Sequence, residues 1–134
     1  MVYNVCMVTI KVFIGTALSK NKGTYSMVAF NEGDFLQLPS VSIKKINLSK
    51  TELYLIAIRD FLKKLNDKRI KIIYCLNDHQ FKQEFDNGLK NRKGKKGIWS
   101  EIFTFVDAGQ KIEVQESLNG INRIESKKAW KQRT

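Results

Sequence analysis

Two carboxylates, Glu52 and Asp78, carry most of the chemistry open to this sequence. Glu52 closes the run Ser49-Lys50-Thr51-Glu52, where helical spacing begins, and Asp78 follows the apolar run 70–76. In an open α/β sheet, sites form beyond the carboxyl ends of the strands, and Asp78 stands at such an end. Brought together there, the two acids would hold Mg²⁺, which takes hard oxygen ligands and keeps several waters. A metal pair would serve phosphodiester cleavage. Each acid also has a plainer role. Ser49 to Glu52 is a capping box, in which the glutamate reaches back to the N-cap amide. Asp78, or Asn77, is a natural N-cap for the helix that follows. The lone histidine, His79, argues against a zinc centre. No phosphate-binding glycine loop and no Ser-His-Asp or Cys-His constellation is present.

The elements that must position these acids follow from periodicity. Residues 5–14 are rich in β-branched side chains and read as a strand. The polar cluster 19–23 is a hairpin turn, residues 24–30 a second strand, 31–34 another turn and 41–46 a third strand. Short turns between three strands imply an antiparallel meander. From Ser49, Leu55, Ile58, Leu62 and Leu65 share one helical face, widened by Leu53, Ala57 and Phe61. Residues 70–76 are nearly all apolar, as in a strand buried on both faces. A helix follows to about residue 88, then a basic loop with Lys90, Arg92, Lys93, Lys95 and Lys96 and no acid. A helix over 98–107, a short strand over 111–115 and a helix over 120–132 complete the chain. Trp99 reads as core and Trp130 as the better stacking candidate, though helix packing is favoured for both.

Composition narrows the partners. The chain has 134 residues, enough for one domain with a real core. Lys and Arg total 24 against 13 Asp and Glu, a formal charge of +11. Such an excess favours a polyanion, because each phosphate contact releases counterions. Cys6 and Cys75 lie in apolar runs without metal spacing and read as buried thiols of a reducing, cytoplasmic setting. The apolar start, residues 1–14, is interrupted by Lys11 and has no basic region before it, so it reads as a strand and not a signal peptide. No run has the length of a membrane span, and no membrane partner is expected.

The order of these elements and several local patterns resemble the ribonuclease H family, type 1. The stretch Asn47-Leu48-Ser49-Lys50-Thr51-Glu52-Leu53-Tyr54-Leu55-Ile56-Ala57-Ile58 is similar to that family's first-helix motif, with Glu52 as its metal-binding glutamate. The stretch Ile72-Ile73-Tyr74-Cys75-Leu76-Asn77-Asp78-His79-Gln80-Phe81 is similar to the strand ending in Asp-Ser-Gln-Tyr, with Asp78 as its aspartate. Lys20-Asn21-Lys22-Gly23-Thr24-Tyr25 resembles the family's first hairpin turn, and the basic residues 90–96 sit where some members carry a substrate-gripping protrusion. The resemblance spans roughly residues 7–131. It implies a ribonuclease H-like α/β fold: a mixed five-stranded sheet, made of a three-stranded antiparallel meander plus two parallel strands, flanked by helices.

Departures from the pattern fall on the acids. Gly15 occupies the position of the first-strand aspartate that binds both metals in the family. In Asn122-Arg123-Ile124-Glu125-Ser126, Ser126 stands at the last aspartate and Glu125 is one residue away. The family's loop histidine has no counterpart. Two-metal catalysis needs enough negative charge to hold cations ~3.5–4 Å apart. The leading expectation is therefore a domain that binds RNA or an RNA/DNA hybrid, with a weak or inactive site. Its phosphate contacts would be Lys20, Asn21, Lys22, Lys90, Arg92, Lys93, Lys95, Lys96, Lys127 and Lys128. The alternative is an active nuclease that cleaves the RNA strand of a hybrid. It would use Mg²⁺ or Mn²⁺ on Glu52 and Asp78, with Glu125 as the third catalytic acid. A third expectation is a packing module within a larger ribonucleoprotein.

Overall fold

A computed structural model describes residues 8–65, 67–117 and 120–132. Cys6, Arg133 and the first residues of the predicted strand 5–14 lie outside the described residues. Among them run β1 (Val8–Ser19), β2 (Lys22–Asn31), β3 (Asp34–Gln37), β4 (Val41–Lys44), α1 (Lys50–Lys64), β5 (Ile70–Leu76), α2 (His79–Lys90), α3 (Ile98–Asp107), β6 (Lys111–Glu116) and α4 (Gly120–Gln132). One sheet takes all six of these strands, in the order β3-β2-β1-β5-β6, with β4 also paired to β2. β1 is antiparallel to β2 and parallel to β5, and β5 is parallel to β6.

The third strand of the expected meander is in fact two. β3 pairs with β2 up to Val28↔Gln37, and β4 resumes at Tyr25↔Val41. Leu38, Pro39 and Ser40 therefore face only Met27 and Ser26, a bulge that splits one sheet position into two short strands. Pro39 has no N–H to offer the ladder. The Leu38 amide still donates to the Met27 carbonyl at 3.0 Å. Asp34, Phe35, Leu36 and Gln37 form an exposed edge that alternation did not reveal.

Parity along the strands separates two layers. Val12 and Ile14 of β1 and Ile72, Tyr74 and Leu76 of β5 join the larger core with α1, α2 and α3. Their neighbours Phe13, Ile73 and Cys75 form a smaller cluster with Val28, against which Ile121 of α4 packs. β5 is buried along most of its length because both faces are covered. Burial also pushes the Cys75 thiol up, which keeps it protonated and inert. Trp99 is partly buried and packs against the larger core, on the side its spacing predicts. Its indole stacks on Phe85 at 5.2 Å and lies over Gly88, where a Cβ would come within 2.4 Å of the ring. No helix among the described residues is long and apolar enough to cross a membrane.

Candidate nucleic-acid interface and the cleft at the sheet's carboxyl edge

β1 and β5 are parallel, so their carboxyl ends open on the same edge of the sheet. A cleft of about 320 Å³ lies there. Ile14, Thr16, Ala17 and Leu18 of β1, Lys50 and Tyr54 of α1, Asn77 after β5, and Asn122, Ser126 and Trp130 of α4 line it. The lining holds one cation and no carboxylate.

Asp78 follows Asn77 of the lining, Glu52 stands in the first turn of α1 outside the lining, and each is engaged by a lysine. The Ser49 hydroxyl accepts from the Glu52 amide at 3.0 Å, so Ser49 is the expected N-cap. The Glu52 carboxylate is ion-paired with Lys45. Asp78 Oδ1 accepts from the Phe81 amide at 2.9 Å and caps α2, while Oδ2 lies 3.5 Å from Lys50 Nζ. Asp78→Ala is expected to cost about 1 kcal/mol of stability through the lost cap, read as a small fall in unfolding midpoint. Loss of all structure would instead assign Asp78 a larger role in the core.

Gly15 is more than a missing carboxylate. It lies on the α4 side of β1, and a Cβ built there would sit 2.1 Å from the Ser126 nitrogen and 2.3 Å from the Glu125 carbonyl carbon. The backbone of α4 fills the space that an aspartate side chain would need. Asn122 ties the helix down, with Nδ2 donating to the Ile14 carbonyl at 3.1 Å and the Cys75 carbonyl at 2.9 Å. Helix and strand meet closely because glycine leaves no Cβ between them.

Glu125, the expected third catalytic acid, is held elsewhere. It is 1% exposed, accepts from Ser26 Oγ at 3.0 Å and from Gln37 Nε2 at 2.8 Å, and pairs with Lys128 at 3.1 Å. Its carboxylate is spent joining α4 to β2 and β3 and does not line the cleft. His79 contacts Glu116 and Gln83 at the exposed start of α2. Among the described residues, no three His, Cys, Asp or Glu side chains converge as metal ligands. The donor set does not fit a two-metal centre: one acid position is filled by backbone, one is serine, and two acids face lysines.

The basic candidates divide. Lys90, Lys93 and Lys96 are exposed in and beside the loop between α2 and α3. Lys95 sits 5.6 Å over the Trp99 ring, while Arg92 covers Phe103 at 4.5 Å and pairs with Asp107 at 2.6 Å. Lys20 and Asn21 are exposed at the β1–β2 turn, with Lys22 half-buried behind them. Lys127 is exposed on α4, and Lys128 is committed to Glu125 and Gln37. Sequence reasoning missed Lys45 and Lys50. Lys50 left one signal, since a cation in the first turn of a helix opposes the macrodipole, which favours acids there.

No family model matches the chain, and no curated protein matches it. Solved structures do. The N-terminal ribonuclease H domain of a Mycobacterium tuberculosis protein is similar at 13% identity and a TM-score of 0.64, over 92% of each chain. A ribonuclease H1 solved in complex with an RNA/DNA hybrid is similar at 15% identity and a TM-score of 0.61, over 88% of this chain and 91% of that one. The protease-reverse transcriptase of a foamy virus, solved with double-stranded DNA, is similar at 13% identity and a TM-score of 0.64, over 98% and 97%. With the mixed sheet, the split meander and the four helices described above, these likenesses establish that the chain has the ribonuclease H-like fold.

Proposed function

We propose that this protein binds an RNA-containing duplex, with an RNA/DNA hybrid as the preferred ligand, and does not cut it. One observation carries the reading: the cleft at the carboxyl ends of β1 and β5 is lined by a lysine, amides and hydroxyls in place of carboxylates. The space of the central acid is closed by α4, and the two retained acids are neutralised by Lys45 and Lys50. A site of that charge attracts phosphate but does not concentrate divalent cations. The net charge of +11 and the exposed lysines of the 90–96 loop supply the longer-range attraction. Two of the similar structures were solved with a hybrid or a DNA duplex, which supports a nucleic-acid partner.

Titrating a labelled hybrid at rising salt tests this. Affinity is expected to fall linearly on a log–log plot, with a slope of about 0.9 per neutralised phosphate. Lys93→Ala with Lys96→Ala should lower the slope by about two. Affinity independent of salt would overturn the proposal. In the same tubes, hybrid incubated with Mg²⁺ or Mn²⁺ is expected to stay intact. Cleavage that disappears in Glu52→Gln and Asp78→Asn would establish the nuclease instead.

A further inference from the structure

We infer that the cleft holds one ribose-phosphate unit directly, with the Lys50 ammonium meeting the phosphate and the Asn122 amide oxygen accepting from a sugar hydroxyl. The inference rests on the nucleic-acid reading above and gives it a specific contact.

Lys50 is the first observation. It stands immediately after the N-cap Ser49, where the unpaired amides of α1 already make the helix end positive. A second positive charge there is unfavourable by itself, and a bound anion relieves both. Asp78 lies 3.5 Å from the ammonium and steadies it. The ammonium nitrogen lies over the Tyr54 ring, 5.7 Å from its centroid. The lysine side chain remains 49% exposed, so it is positioned without being used up. Thr16 and Tyr54 bring hydroxyls to the same lining, and Tyr54 is held protonated by burial.

Asn122 is the second, independent observation. Its Nδ2 donates to two main-chain carbonyls, which settles the orientation of the amide. Its Oδ1 is then left buried with no partner among the described residues. The side chain is 4% exposed and lines the cleft. A buried acceptor without a donor costs free energy that a ligand donor returns. A phosphodiester has no hydrogen to give, but a ribose hydroxyl does, and it doubles as the group that separates RNA from DNA. One ribose-phosphate answers both the half-exposed cation, which Asp78 meets on one side only, and the unpartnered acceptor. The volume, about 320 Å³, is at the small end of ligand pockets and suits one nucleotide. Trp130 at the rim is 54% exposed, which gives an adjoining base a face on which to stack.

The unit comes from a strand or from a free ribonucleotide, and two titrations separate these sources. Wild type, Lys50→Gln and Lys50→Arg would be titrated with a short RNA/DNA hybrid and, separately, with adenosine monophosphate, all in EDTA. Thermal melts of each variant check that it is folded. Wild type is expected to bind without divalent metal. Lys50→Gln should weaken hybrid binding about tenfold and lower its salt slope by about one, while Lys50→Arg retains most affinity. The same loss for adenosine monophosphate would make a free nucleotide the source. Lys50→Gln binding both ligands as wild type does would overturn this inference and leave the nucleic-acid reading standing. Wild type binding neither would overturn both.

Discussion

Gly15→Ala is expected to cost about 3 kcal/mol of stability, and Gly15→Asp more, with no gain of nuclease activity from the restored carboxylate. The new Cβ would meet the Ser126 nitrogen at 2.1 Å, the Glu125 carbonyl carbon at 2.3 Å and the Ser126 Cα at 2.7 Å. These are main-chain atoms of a helix and not the flexible tip of a side chain. They cannot rotate away, so α4 as a whole must lift from β1. Overpacking a core usually costs ~1–3 kcal/mol, and a rigid backbone neighbour puts this site at the top of that range. Lifting α4 would also lengthen the Asn122 bonds to the Ile14 and Cys75 carbonyls. For a domain of this size the midpoint of thermal unfolding should fall by roughly 10 °C, followed by circular dichroism. A Gly15→Asp protein as stable as wild type would show that α4 yields easily. Mg²⁺-dependent cleavage by that variant would show that only the missing acid separates this chain from a nuclease.

Glu125→Ala should also be damaging, at about 2 kcal/mol. Ser26 Oγ and Gln37 Nε2 would each lose the carboxylate as acceptor, and Ser26 is fully buried, away from replacement water. A buried donor left without a partner costs ~1–3 kcal/mol, and Ser26 is such a donor, whereas Gln37 is exposed and keeps the Met27 and Leu38 carbonyls as acceptors. Lys128 would lose one of its two partners, but it keeps Gln37 and its side chain is 44% exposed. Glu125→Gln keeps the shape and one acceptor oxygen and should cost about 1 kcal/mol. Urea unfolding of both variants reads the difference as a shift in midpoint at unchanged slope. A catalytic Glu125 would behave in the opposite way, with Glu125→Gln keeping full stability and losing cleavage. The same measurement therefore decides between a structural bridge and a reacting acid.

Much of the scaffold was legible because it depends on local periodicity. The helices α1, α3 and α4 and the strands β5 and β6 fall within a residue or two of where apolar spacing predicts them. Ser49 and Asp78 cap helices, as their residue types and positions imply. The split between β3 and β4 was not legible. It depends on Pro39 and on which residues of β2 lie opposite, and pairing register is a property of two segments at once.

The site shows the same division. By itself the sequence determined which acids remain, Glu52 and Asp78, that Gly15 and Ser126 stand where the resemblance places two others, and that the chain is strongly basic. Side-chain type and order are one-dimensional facts. Only the tertiary structure decided what those residues meet. It set Lys45 on Glu52 and Lys50 on Asp78, sent Glu125 to Ser26 and Gln37 across the sheet, and laid the backbone of α4 against Gly15. The physical reason is that charge compensation and close packing act through distances of a few ångströms between segments far apart in the chain, and spacing along the sequence carries no record of them.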